Sequence, residues 1–184
     1  MGIKKYRLGL VVGRFQIIHS GHEEIIRRAV ELCETAGVFV GSSQESGTSK
    51  NPFTFEMRKD MLKDVFGDEI HVYPLPDLGA GNNCIWGNYV FQNVFERFGE
   101  YPDLFVSGEE ERRTGWFSSD MFPGLAQIYV PKTIDISASR MRNFLIEDDF
   151  VSWKEYTNPC LWDRYPELRD TIILSSGCSG TSSI

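Results

Sequence analysis

Leu8-Gly9-Leu10-Val11-Val12-Gly13-Arg14-Phe15-Gln16-Ile17-Ile18-His19-Ser20-Gly21-His22 is the stretch whose reading decides the fold. Its apolar first part reads as a buried strand, and Gly13 permits an unusual backbone angle where the strand ends. From Ser20 the period changes. Ile25, Ile26, Ala29, Val30 and Cys33 recur at helical spacing, with Glu23 and Glu24 in the first turn, where the helix dipole favours acids. A strand, a turn and a helix opening aim backbone N–H groups at an anion, and here two imidazoles, His19 and His22, join them. Arg14 can grip a phosphate with two N–H groups, and Gly21, lacking a side chain, lets a ligand come close to the helix end.

The same alternation continues outward. Gly37 is placed to end the first helix, and Val38-Phe39-Val40 reads as a second strand. Gly41 to Lys50 is polar and reads as a mobile loop. Thr54 can cap a helix carrying Met57, Met61, Leu62, Val65 and Phe66, which Gly67 closes. His71 to Leu75 is a third strand. Ile85 to Phe98 is a helix with Val90, Phe91, Val94 and Phe95 inward. Leu104-Phe105-Val106 and Gln127 to Val130 are two further strands. Short apolar strands alternating with amphipathic helices define an α/β domain with a central parallel sheet covered on both faces. Ligands of such sheets bind at the carboxyl ends of the strands, near the point where strand order reverses. His19, Lys50, Asp77 and Ser107 all follow strands.

A second anion-binding pattern stands far downstream, in Ile136-Ser137-Ala138-Ser139-Arg140-Met141-Arg142. It reads as a helix N-terminus. Ser137 and Ser139 can cap that helix or bind phosphate, and Arg142 lies one turn inside on the same side as Ser139. Arg140 projects elsewhere. Two such cradles in one small domain imply a nucleoside triphosphate held along its length. Two histidines with no suitably spaced third ligand make a poor metal site, so none is expected in the chain itself.

Bulk properties narrow the partners. A formal net charge of −7 excludes a general nucleic-acid binder, which needs a basic face. No apolar run is long enough to span a membrane, and the N-terminus shows no signal-peptide pattern. Cys33, Cys84, Cys160 and Cys178 have no paired spacing and read as reduced thiols of a cytoplasmic protein. Glu109, Glu110 and Glu111 beside Arg112 and Arg113 read as an exposed charged loop.

The H-x-G-H and I-S-x-S-x-x-R motifs resemble those of the nucleotidyltransferase superfamily. Gly13-Arg14-Phe15-Gln16, Asn51-Pro52-Phe53-Thr54 followed by Glu56 and Arg58, Pro76-Asp77, Asn82-Asn83-Cys84-Ile85-Trp86 and Ser107-Gly108 narrow the likeness. Together they resemble the archaeal-type nicotinamide mononucleotide adenylyltransferases over roughly residues 6–155. The resemblance implies a Rossmann-like three-layer nucleotidyltransferase fold. It also implies adenylyl transfer from ATP, carried with Mg2+, to nicotinamide mononucleotide, in a homo-oligomer. It assigns His19, His22, Arg14 and Arg142 to the triphosphate and the transition state. Gly13, Phe15, Gly21, Lys50, Ser107, Gly108, Ile136, Ser137 and Ser139 complete the ATP site. Trp86 is implied to stack on the nicotinamide ring, with Asp77 and Asn82 or Asn83 nearby; the asparagine taking the carboxamide stays open, because the segment between Asp77 and Trp86 is longer than in the family. Ile17 stands where the family usually has proline. Two alternatives remain: a related transferase using nicotinate mononucleotide, phosphopantetheine or an alcohol phosphate, and a non-catalytic NAD-binding regulatory domain.

The C-terminus is read separately. Thr171-Ile172-Ile173-Leu174 reads as a strand, and the Ser/Gly-rich residues after it resemble the opening of a P-loop with Thr181 at the usual lysine position. The expected division is a domain over 1–174 and a polar tail over 175–184, the possible start of a truncated P-loop domain.

Overall fold

The computed structural model describes residues 4–79, 83–108 and 115–177, with Asn83 described in its backbone alone. Asn82, the side chain of Asn83, residues 109–113 and Cys178 with the rest of the tail lie outside the described residues. Five strands form one parallel sheet in the order β3-β2-β1-β4-β5. They are β1 (Tyr6–Gly13), β2 (Cys33–Gly41), β3 (His71–Leu75), β4 (Leu104–Ser107) and β5 (Ala126–Tyr129). Strand order reverses between β1 and β4, which places the switch point at the end of β1.

The two-residue period of the strands feeds two cores. Leu8 and Leu10 of β1, Phe39 of β2 and Phe105 of β4 pack with Val90, Phe91 and Val94 of α3 (Asn83–Phe98). The alternate residues Val11, Val38, Val40, Leu104 and Val106 face the other way. There they meet Ile26 and Ala29 of α1 (Ser20–Leu32) and Met61, Leu62 and Phe66 of α2 (Phe55–Phe66). The C-terminal helices α4 (Ala138–Ile146), α5 (Phe150–Glu155) and α6 (Tyr165–Gly177) join this larger core through Met141, Leu145, Trp153, Leu168 and Ile172. The result is a three-layer α/β architecture, as the alternation of elements requires.

Local signals set several boundaries. Thr54 caps α2 by accepting from the Met57 amide at 3.2 Å, and Gly67 ends that helix with φ 52°. Three expectations are corrected. Gly37 does not end α1; it sits within β2, which starts at Cys33 because its ladder with β1 runs from Tyr6–Cys33 to Gly13–Val40. A Cβ at position 37 would lie 3.0 Å from the Phe98 ring, so glycine there serves close packing. Phe95 is not inward. It is 43 % exposed and lies against Tyr101, at the edge of the stripe formed by Val90, Phe91 and Val94. Thr171–Leu174 is helix, not strand. Leu168, Ile172 and Ser175 are buried at helical spacing, and this tertiary packing outweighs the β-preference of the isoleucines. The helix continues through residues 175–177, the first of the expected tail.

Candidate active site

A cleft of about 430 Å³ opens at the carboxyl ends of β1 and β4. It is lined by Gly13, Arg14, Phe15, His19, Gly21 and His22 from the first motif, and by Ser107 and Gly108 after β4. Ile136, Ser137, Ser139 and Arg142 close it from the second motif, more than a hundred residues downstream. Crossover order brings them together: β1 and β4 are neighbours, and α4 follows β5 back across the switch point.

The first motif is a compact, strained turn. Phe15 and Ile17 have φ values of 47° and 111°, and both side chains are buried. A branched residue at such a φ persists only where its surroundings dictate it. Proline, fixed near −65°, could not follow this path at position 17. Gly13 does not adopt the unusual angle expected of it; it makes room, since a Cβ there would lie 2.9 Å from Phe15 Cζ. Gly21 acts likewise, because its Cβ would lie 3.2 Å from the His19 ring.

His19 is the residue capping α1 by backbone, and its ring stacks on His22 with centroids 3.9 Å apart. Phe15 meets His22 edge-on at 5.1 Å. Burial, helped by the charge of Lys132, lowers the His19 pKa to about 4. Burial and the neighbouring His19 hold His22 well below its ordinary value. Both imidazoles are therefore neutral at pH 7. The Nδ1 atoms of both are buried without a hydrogen-bond partner among the described residues. Buried polar atoms left in this condition mark a site shaped for a ligand.

Arg142 donates to Ser139 Oγ at 3.1 Å and to the Gln16 carbonyl at 3.5 Å, which holds its guanidinium against the first motif. Burial, then the charge of Arg14, lowers its pKa. Two guanidinium groups facing one cleft repel each other, and an anion between them relieves that repulsion. Ser137 caps α4, accepting from the Arg140 amide at 3.3 Å. Arg140 is turned out of the cleft over Phe144 and Tyr156.

The remaining expected residues lie elsewhere. Lys50 is exposed on the loop after β2, outside the cleft lining. Asp77 follows β3, accepts from Ser42 Oγ at 2.6 Å, and also lies outside the lining. Trp86 is half-buried beside Tyr89 and Trp116 at ring distances of 5.4 and 5.9 Å, and its Nε1 is buried without a partner among the described residues. Trp116, not Trp86, lines the cleft.

Sequence reasoning quoted Gln16 and Arg58 within its motifs without giving either a role, and it passed over further contributors. Gln16 is 3 % exposed and brackets Phe53, accepting from its amide at 3.1 Å and donating to its carbonyl at 3.4 Å. Arg58 is fully buried and donates to the carbonyls of Arg14, Gly41, Ser42, Glu45 and Thr54. It thereby pins the end of β1, the end of β2 and the start of α2 at one point. The opening of α1 is braced from behind: Ser20 N donates to the Tyr156 carbonyl at 2.8 Å, and Asn158 donates to Glu23 at 3.1 Å. Glu24, Lys132 and Thr133 complete the lining. Pro131-Lys132-Thr133 directly follows β5, and position after a strand is the signal that could have flagged it.

A parallel sheet whose switch point joins a histidine-bearing helix opening to a serine- and arginine-bearing one defines a nucleotide-binding transferase scaffold. The chain belongs to the cytidylyltransferase-like family, whose sequence model matches residues 10–144. It is 41 % identical over 166 residues to the nicotinamide-nucleotide adenylyltransferase of Thermococcus onnurineus, covering 88 % of this chain and 83 % of that one. It is 43 % identical over 101 residues to the enzyme of the same name from Saccharolobus solfataricus, covering 48 % of this chain and 58 % of that one. Among solved structures it resembles a bifunctional NMN adenylyltransferase/ADP ribose pyrophosphatase from Francisella tularensis, with TM-score 0.74 and 22 % identity. That match covers 92 % of this chain and 51 % of the other. The likeness to the Francisella structure concerns the fold. Among the described residues no helix is long and apolar enough to cross a membrane.

Proposed function

We infer that this protein transfers the adenylyl group of ATP to the 5′-phosphate of nicotinamide mononucleotide, forming NAD and pyrophosphate. The observation that carries this reading is the meeting of both motifs in one cleft, in a chain that covers 83 % of a relative named for that activity. An oxygen of the mononucleotide phosphate attacks the α-phosphorus, and the bond from that phosphorus to the bridging oxygen of pyrophosphate breaks. The nucleophile is already an anion, so no general base and no covalent enzyme intermediate are needed. Catalysis then consists of positioning two anions and stabilising charge on the leaving pyrophosphate.

In this reading neutral His19 and His22 donate N–H bonds to the phosphates, and Arg14 and Arg142 supply positive charge. Gly13, Phe15, Gly21, Ser107, Gly108, Ile136, Ser137 and Ser139 shape the ATP site, and Lys50 approaches from its loop. Mg2+ enters with the triphosphate as part of the substrate. Among the described residues no group of three or more His, Cys, Asp or Glu side chains converges to hold a metal, and Glu24 is the one carboxylate among the described residues lining the cleft. A hydrated ion carried by phosphate oxygens fits that donor set. Homo-oligomer formation and a cytoplasmic setting complete the proposal.

The test is pyrophosphate release from ATP or CTP with magnesium, against a panel of phosphorylated acceptors. NAD formation from nicotinamide mononucleotide is the expected result. Turnover with phosphopantetheine or glycerol phosphate, and none with the mononucleotide, would assign the protein to a sister transferase.

The base side is proposed to be Trp86 with Asp77 and Asn82 or Asn83. Trp86→Ala is expected to raise the mononucleotide KM several-fold to roughly 30-fold, the range for an aromatic face on a cationic ring. The KM for ATP should stay nearly constant, because Trp86 lies outside the cleft lining that holds both phosphate motifs and reaches it only through Trp116. Steady-state kinetics with each substrate varied in turn checks this. Equal impairment toward both substrates, together with a lowered Tm, would make Trp86 a core residue that supports Trp116.

A further inference from the structure

We propose that Lys132 is an additional phosphate-binding residue, held on Asp135 in the ligand-free protein and transferred to the triphosphate when nucleotide enters. This rests on the adenylyl-transfer reading and extends it to a residue outside both motifs. Lys132 lies on the short strap between β5 and α4 and lines the same cleft as the histidine pair. Its ammonium donates to Asp135 Oδ1 at 2.8 Å, and Asp135 itself is outside the cleft lining. The neighbouring residue repeats the arrangement: Thr133 Oγ1 donates to Glu24 Oε2 at 2.8 Å, and Glu24 stands in the first turns of α1. Both donors of the strap are thus occupied by carboxylates at the mouth of an anion site.

The physical case is an exchange of partners. The Lys132–Asp135 pair is exposed, with the two side chains 54 % and 95 % accessible. A pair so exposed contributes little, because water screens it and two side chains must be held still. A triphosphate carries several charges and sits where burial strengthens each contact. Lys132 already acts within the site, since its charge helps hold His19 below its usual pKa. Asp135 competes with the nucleotide for the same ammonium, so removing either partner should change affinity in opposite directions.

Calorimetric titration of the full chain with α,β-methylene ATP and with inorganic tripolyphosphate tests this. Neither probe undergoes adenylyl transfer, so binding is read apart from turnover. Lys132→Met should weaken both probes about tenfold, and Lys132→Arg should restore most of the loss. Asp135→Asn should tighten both about two- to fivefold, and Lys132→Met with Asp135→Asn should behave as Lys132→Met alone. Unchanged affinity in Lys132→Met, or weaker binding in both single variants, overturns the proposal while the nucleotide reading stands. A wild-type protein that binds neither probe overturns that reading and this proposal together.

Discussion

His22→Ala is expected to lower kcat about 100-fold or more while shifting Tm by only a few degrees. His22 belongs to neither apolar core; its ring forms a wall of the cleft, stacked on His19 and edged by Phe15. Its Nδ1 has no partner among the described residues, and the backbone of Ile17 is the one hydrogen-bonding group that acts on its ring. On the proposed mechanism, what is lost is a donor aimed at charge that grows as pyrophosphate departs. Removing one such preorganised donor costs roughly 3 kcal/mol of transition-state stabilisation, which is the 100-fold stated. Kinetics and thermal melting on the same preparation check both halves. A sharply lowered Tm with normal turnover per folded molecule would make His22 structural.

Arg58→Met should have the opposite signature. Stability should fall by at least about 3 kcal/mol, read as a shift in the urea midpoint at constant slope. The side chain is fully buried and serves carbonyls from Arg14, Gly41, Ser42, Glu45 and Thr54. Burial lowers its pKa to about 10, which still leaves it charged at neutral pH. Methionine matches much of its volume and leaves those acceptors unsatisfied, the costly half of a broken hydrogen bond. Arg58→Lys should recover part of the loss, since lysine offers three donors without the planar fork. Both substrates should bind more weakly in the methionine variant. Arg58 holds the Arg14 backbone on the phosphate side and that of Ser42, whose hydroxyl binds Asp77, on the other. A destabilisation below about 1 kcal/mol would mean that water or backbone movement replaces the guanidinium.

The residues that read correctly from the sequence act locally. The β1 stretch alternates between the two cores over Leu8, Leu10 and Val11, and Thr54 and Gly67 bound α2 through their own backbone and hydroxyl chemistry. His19, Gly21, His22, Ser137, Ser139 and Arg142 were legible as residues of two helix openings, and the structure gathers them into one cleft lining. The misread segments are those where a distant partner decides. Gly37 looks like a helix stop, yet the ladder with β1 draws it into β2. Thr171–Leu174 has a β-rich composition, yet burial of Leu168, Ile172 and Ser175 makes it helical.

Determined by the sequence alone were the parallel α/β class, the two helix openings that line the cleft and their order along the chain, because period and capping need only neighbours. Only the tertiary structure decided that Lys132 and Thr133 share the cleft with them, that Arg58 joins three element ends from inside, and that Tyr156 and Asn158 brace α1. Most of these contacts join residues far apart in the sequence. They depend on crossovers that set β2 and β4 on either side of β1 and β5 beyond β4, and no local pattern encodes that proximity.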